Sequence, residues 1–250
     1  MKLDGQKVVI FGGSSGIGHG VAAAALAEGA DVTIVGRSAD RLDSAARNLG
    51  TGVKTARVDA TNQAKLAEFY SARAPIDHIV ATVHSTESLG GAMRAIVDMD
   101  LDAAEALMKS KYWTQFVILK LGAPHLAERG SITLTSGVAS RGFVAKHGLL
   151  GPNNAAIEAL AKYAARELGP KRVNCVSPGL TNTPTFDGLP PDAKMGLLKS
   201  FADGLPVGFV ADPADVAGAY IFAMTSSYVS GSVIDIDGGF MFGLLQRDGH

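Results

Sequence analysis

Cysteine is almost missing from this chain of 250 residues, where Cys175 stands alone. One thiol closes no internal disulfide and supports no multi-cysteine metal site, so no metal is expected. Cys175 lies in an apolar run, as a buried small hydrophobe would. A reducing, cytoplasmic setting fits. An excess of charge of one sign is missing too: Lys and Arg number 23 against 24 Asp and Glu, for a formal net charge of -1. Without a basic stripe or an acidic tail, neither nucleic acid nor an anionic membrane is expected as a partner. No apolar stretch is long enough to span a bilayer. The first residues, Met1 to Lys7, run straight into a short strand and do not read as a signal peptide.

What is present is apolar mass in an alternating pattern. Hydrophobic residues make up 47% and charged residues 19%, enough for a sizeable core and too apolar for disorder. Strands are expected at residues 7–11, 31–36, 52–58, 78–83, 131–135, 172–176 and 232–236. Such continuous β-branched runs suit strands buried on both faces, the condition of a parallel sheet. Helices are expected at 16–27, 38–49, 62–73, 102–128, 153–168 and 212–224, with Pro124 breaking or kinking the fourth and Gly169-Pro170 stopping the fifth. The alternation argues for one α/β domain over residues 1–250, a doubly wound sheet with helices on both faces. Residues 182–206 break the rhythm, mixing Pro184, Pro190, Pro191 and Gly188 with Phe186, Leu189, Met195, Leu198 and Phe201. Two readings stand there: a substrate-covering lid with one or two short helices, or a surface excursion packing its own side chains.

The first turn reads Gly12-Gly13-Ser14-Ser15-Gly16-Ile17-Gly18. Between a strand and a helix, such a loop cradles a pyrophosphate. Gly12 permits the sharp turn, Gly16 the close approach of backbone, and Gly18 the packing of helix on sheet. The helix end aims N–H groups and its positive dipole at the phosphates, and the Ser14 and Ser15 hydroxyls add donors. The second strand then selects the nucleotide. Its end, Val35-Gly36-Arg37-Ser38, lacks the acidic residue that accepts from ribose hydroxyls. Arg37 offers a planar cation to a 2′-phosphate, Ser38 a hydroxyl, and Arg41 lies one turn on. NADP(H) is the cofactor expected; the competing reading leaves Arg37 as a solvated loop residue.

Taken in order, Gly12 to Gly18, Asp59, Thr135-Ser136, the run Arg172-Val173-Asn174-Cys175-Val176-Ser177-Pro178-Gly179, Thr183 and Asp237-Gly238-Gly239 resemble the short-chain dehydrogenase/reductase family over nearly the whole chain. The resemblance implies a single Rossmann-type, doubly wound, seven-stranded parallel sheet with the nucleotide across the strands' C-terminal ends. It implies Asp59, with Ala60, at the adenine, although a loop or cap role also fits Asp59. It implies cofactor support from Ala81, Thr82 and Val83, and Pro178, Gly179, Leu180, Thr181 and Thr183 at the nicotinamide, with Thr183 holding the carboxamide. A small-molecule substrate and a homodimer or homotetramer packed on the helix at 153–168 belong to the same expectation.

The departures from that family are sharp. Its fourth-strand motif Asn-Asn-Ala-Gly is replaced by Ala81-Thr82-Val83-His84, so either the His84 ring enters the site as an acid/base or it packs or faces solvent. Of the family's catalytic Asn, Ser, Tyr and Lys, Ser136 matches the serine. Leu150 takes the tyrosine position, Asn154 the lysine position and Lys111 the asparagine position, with Lys109 the alternative register. None of Tyr70, Tyr112, Tyr163, Tyr220 and Tyr228 has a lysine four residues on. A smaller, equally atypical set of members resembles the chain at Lys111-Tyr112-Trp113, Ser131 to Gly137 and Val233 to Gly239.

Leu150 can neither donate a proton nor stabilise an alkoxide, and losing a positioned general acid typically costs a factor of about 10² to 10⁴. The expectation is an NADP(H)-dependent reductase of a small apolar carbonyl, enone or imine, working with Ser136 and Lys111. Lys146 and His147 lie in a stretch whose path the sequence does not fix. A second reading is an NADP(H)-binding protein without redox work: a cyclase, a sensor or a partner-binding module. A third, a degenerate paralogue, fits poorly with intact glycine and Pro178-Gly179 loops.

Overall fold

Strands that are apolar on both faces need cover on both faces. In the computed structural model they obtain it as one seven-stranded parallel sheet of order β3-β2-β1-β4-β5-β6-β7. The structure describes residues 1–84, 94–142 and 144–243. The strands are β1 (Lys7–Phe11), β2 (Asp31–Gly36), β3 (Lys54–Arg57), β4 (Ile76–Ala81), β5 (Leu126–Thr135), β6 (Arg172–Pro178) and β7 (Val233–Ile236). The helices are α1 (Gly16–Ala27), α2 (Ala39–Leu49), α3 (Gln63–Ser71), α4 (Leu101–Met108), α5 (Thr114–Gly122), α6 (Leu150–Glu167), α7 (Pro191–Gly204) and α8 (Pro213–Thr225).

Two apolar layers form, one on each side of the sheet. Val9, Phe11, Ile79, Ile132 and Val173 pack with Leu66, Ile118 and Ile157. Val8, Ile10, Val32, Ile34 and Val176 pack with Val21, Leu42 and Val216. Each such fully buried aliphatic or aromatic side chain contributes about 1.5–3 kcal/mol.

Several boundaries differ from the sequence reading, each for a local reason. The expected helix at 102–128 is α4, a π-helical turn over Lys109–Trp113, α5 and a 3-10 turn over Ala123–His125. The Pro124 ring admits no continuing helix, so β5 begins at Leu126, earlier than expected. β4 ends at Ala81, which puts Thr82 and Val83 beyond the strand. Leu150 opens α6, one turn ahead of Asn154 on the same helix. Within 182–206 lie a 3-10 turn at Pro184–Phe186 and α7, which buries none of its residues.

The winding direction reverses between β1 and β4, and in open α/β sheets the crevice at the carboxyl ends there is where ligands bind. The glycine loop, Thr82 to His84, Ser136 and Pro178 to Thr183 all leave the sheet on that edge.

Candidate active site

The crevice has a phosphate-sized cradle at its start. Gly12 and Gly16 have φ of +83° and +52°, a region L side chains avoid. A Cβ on Gly18 would stand 2.4 Å from the Gly12 carbonyl oxygen, so helix and loop touch backbone to backbone. Ser15 is the N-cap of α1, yet its side chain makes no cap bond, unlike Ser38, Asn62 and Asp100 at the starts of α2, α3 and α4. The first N–H groups of α1 are thereby left for an anion. A Cβ on Gly16 would meet the Thr183 Cγ2 at 3.3 Å, so the loop after β6 faces the cradle directly. Thr82 works from below: its hydroxyl donates to the Phe11 carbonyl at 2.9 Å and lies under Gly12 and Gly18. It supports the cradle through that bond. Thr181 is buried and donates to the Gly179 carbonyl at 3.2 Å, bracing the post-β6 turn. A Cβ on Gly179 would stand 2.8 Å from the Asp237 Cα, which fixes the turn against the chain after β7.

The outer edge carries clustered cations. Arg37 is exposed, and its carbonyl accepts from the Arg57 Nε at 3.1 Å. Arg57 ends β3 beside Gly36; it is a cation here that sequence reasoning missed. The Ser38 Oγ caps α2 by accepting from the Arg41 N–H at 3.3 Å, which leaves its own hydrogen free to donate. Asp59 accepts from the Thr61 N–H and hydroxyl at 3.0 and 2.8 Å, so a local turn role is present whatever else it does. Burial works to raise the Asp59 pKa, but those bonds and the nearby Arg37 charge outweigh it and hold the carboxyl below its ordinary value. Ala60 is buried beside it.

The far end gathers polar groups around Ser136. Gln115, fully buried, clamps both backbone groups of Thr135 at 2.9 and 2.8 Å and pins α5 to the end of β5. Just before it, the Thr114 hydroxyl takes the Lys109 carbonyl at 2.8 Å, sustaining the π-turn. Such single turns recur at functional sites because they re-aim a side chain. Here Lys111 is aimed inward, with its Nζ donating to the Ser136 carbonyl at 3.1 Å. Lys109 points out and pairs with Glu105, so the register choice falls to Lys111. Burial pushes the Lys111 pKa down to about 8. His84 keeps an exposed edge, but burial of its ring and the adjacent Lys111 charge hold its pKa at about 4, so it stands neutral there. Burial pushes the Cys175 thiol up to about 12, which makes it inert.

Helix α6 supplies three polar side chains to the same corner. Asn153 braces it to α4 through the Leu107 carbonyl at 3.3 Å. Asn154, at the missing lysine's position, donates to the Gly137 carbonyl at 3.3 Å. Glu158, one turn further, accepts the hydroxyls of Ser136 and Ser140 at 3.0 and 2.5 Å and pairs with the Arg141 Nε at 3.3 Å. Arg141 also pairs with Asp235 on β7. Sequence reasoning missed Glu158 and Gln115; the i, i+4 spacing from Asn154 to Glu158 was the available signal for the first. Leu150 sits partly exposed with no polar group to offer. Lys146 is exposed, and the His147 ring bonds the nearby Ala145 carbonyl at 2.8 Å, so the described contacts of both lie outside the Ser136 cluster. Among the described residues no group of three or more His, Cys, Asp or Glu is placed to hold a metal ion, and no helix is long and apolar enough to cross a membrane.

Comparison with known proteins places this geometry. A family model described as enoyl-(acyl carrier protein) reductase matches residues 12–241. A short-chain dehydrogenase/reductase, ATR9 of Stachybotrys chlorohalonatus, is 28% identical over 255 residues, covering 95% of this chain and 97% of that protein. The crystal structure of a small-chain dehydrogenase in complex with NADPH is 35% identical, covers 96% of this chain and 100% of its own, and superposes with a TM-score of 0.82. The MalC reductase/Diels-Alderase from Malbranchea aurantiaca is 25% identical, with coverage of 96% and 98% and a TM-score of 0.85.

Proposed function

The chain belongs to the short-chain dehydrogenase/reductase family, and from that premise we propose that it is an NADP(H)-dependent reductase of a small apolar carbonyl, enone or imine. The observation that carries the reading is the pairing of a side-chain-free cradle at the N-terminus of α1 with the Lys111–Ser136 cluster on one crevice. Gly12 to Gly18 would hold the pyrophosphate, Arg37 and Ser38 the 2′-phosphate, Asp59 and Ala60 the adenine, and Pro178 to Thr183 the nicotinamide. When bound, the reduced nicotinamide supplies a hydride. The solved relative that holds NADPH supports this choice of cofactor.

The chain's own residues supply the rest. Lys111 is the inward cation, and its lowered pKa lets it release a proton near neutral pH. Gln115 and the π-turn fix where that cation sits, and Asn154 and Glu158 fix Gly137 and Ser136. Residues 182–206, with helix α7, which has no fully buried residue, serve as a lid that excludes water. Tyr163, 74% exposed on α6, lies on the face through which we propose a homodimer or homotetramer forms.

A non-redox role is the second reading. It is favoured by the absent Tyr-x-x-x-Lys pair and by the similarity to a protein described as both reductase and Diels-Alderase. Incubation with NADPH and a panel of ketones, enones and imines separates the two. Cofactor oxidation that is lost in Ser136→Ala and Lys111→Met supports the reductase; NADPH binding with no turnover on any compound supports the second reading.

A further inference from the structure

The hydrogen bonds around Ser136 have a direction. A serine hydroxyl carries one hydrogen, and that of Ser136 goes to Glu158 Oε1 at 3.0 Å. The same carboxylate receives the Ser140 hydroxyl at 2.5 Å and faces the Arg141 Nε at 3.3 Å, so it is the acceptor toward all three. The Ser136 Oγ therefore has only lone pairs left to offer. Asn154, 2% exposed, turns its Nδ2 to the Gly137 carbonyl, and its Oδ1 is buried with no hydrogen-bond partner. The corner thus holds two acceptors with lone pairs unspent, both on buried side chains, and its inward donor is the Lys111 Nζ.

That polarity is wrong for a ketone. Negative charge developing on a carbonyl oxygen needs aimed donors, and here a hydroxyl oxygen and an amide oxygen would both repel it. A C=N group behaves differently, because once protonated it presents an N–H and a positive charge, which suit both acceptors. The Glu158 carboxylate one hydroxyl away adds to the attraction.

Resting on the reductase reading above, we infer that the substrate is a small imine, held after protonation by the Ser136 Oγ and the Asn154 Oδ1, in preference to a ketone of the same shape. The step balances. The imine nitrogen takes a proton from the Lys111 ammonium, and the carbon takes a hydride from a reduced nicotinamide, which is oxidised. The C=N π bond breaks, the product is an amine, and Lys111 regains its proton from water. Transfer leaves Lys111 neutral, so the cationic nitrogen forms beside no second cation on that residue.

The test compares 1-pyrroline with cyclopentanone, and 3,4-dihydroisoquinoline with the matching ketone, using the full-length enzyme and NADPH. The imine of each pair is expected to lead in kcat/KM by about a hundredfold, since a site built for a hydrogen bond rejects analogues that lack it. Glu158→Gln supplies an amide N–H that donates to the Ser136 Oγ and turns the serine hydrogen toward the substrate. It should shift the imine-to-ketone ratio toward the ketone by about tenfold or more. Should that variant not fold, Ser136→Ala serves, with imine kcat/KM falling by a larger factor than ketone kcat/KM; equal losses would count against the inference. A binding measurement needs no turnover: pyrrolidine should bind the enzyme with NADP+ present, and cyclopentanol should not. Ketone reduction faster than imine reduction would overturn the inference and leave the reductase reading standing. Absence of NADPH oxidation with every compound would remove the reductase reading, and equal binding of pyrrolidine and cyclopentanol would then remove the acceptor assignment as well.

Discussion

Replacing Lys111 with methionine should make the protein more stable and nearly inactive. The residue sits on the π-turn with its Nζ on the Ser136 carbonyl, and burial lowers its pKa from 10.5 to about 8. Every tenfold loss of proton affinity on folding costs the charged form about 1.36 kcal/mol. The sign follows from linkage. The unfolded chain holds this proton more tightly, so stability rises with pH between about 8 and 10.5 and is lowest below that window. The residue keeps some exposure, which screens the effect, and the variant loses one hydrogen bond. A net gain of about 1–3 kcal/mol at pH 7 remains expected for Lys111→Met. Activity moves the other way. Removing the acid costs a factor of about 10² to 10⁴. In the native enzyme the charged fraction of Lys111 falls about tenfold between pH 7 and pH 9, and kcat should fall with it. Near the ammonium stand His84 and Cys175; the first is held neutral by a pKa of about 4 and the second by one of about 12, so neither titrates in that range. Urea unfolding and initial-rate pH profiles check both halves. A native profile flat from pH 7 to 9, or a Lys111→Met variant that keeps the same break, would refute the reasoning.

Three further outcomes are expected. Arg37→Ala should weaken NADPH by about 10- to 100-fold, the worth of one charge-assisted contact, and leave NADH unchanged in a fluorescence titration; equal losses would remove the 2′-phosphate assignment. His78 bonds Ser131 and Gln6 at 2.8 and 2.7 Å, and burial, followed by the Arg172 charge, lowers its pKa to about 4. The unfolded chain then takes the proton first as pH falls below about 6.5, so about 3 kcal/mol of stability should drain away toward pH 4, a slope that His78→Asn flattens in chemical denaturation. Gln115→Ala strands the buried N–H and carbonyl of Thr135 and should lower the unfolding free energy by about 2–4 kcal/mol, with kcat falling because the π-turn loosens.

The fold was legible because most of its strands, such as β1 and β2, are largely continuous apolar runs and α1, α2 and α6 stop at Gly29, Gly50 and Gly169-Pro170; the order of elements and the crevice both follow from that pattern. Boundaries near Pro124 were less so, since the π-turn rests on a local Thr114 bond to the Lys109 carbonyl and on Gln115 reaching across to Thr135. The turn at Gly12 to Gly18 was readable from glycine spacing together with its place between a strand and a helix. Ser136 and Lys111, singled out by position, do lie in contact, but the polarity of that corner was hidden. Which way the Ser136 hydrogen points depends on Glu158, which joins the nearby Ser140 and Arg141 only when α6 packs against the end of β5. Arg57 was equally invisible, because its relation to Arg37 depends on the register of β2 with β3.

Hydride transfer is the central claim, and isotope labelling tests it most directly. NADPH deuterated at the transferring position should pass one deuterium to the former C=N or C=O carbon of a turned-over compound, read by mass spectrometry of the product. Product formed without the label, or a bound cofactor whose deuterium stays in place with every compound of the panel, would contradict the account.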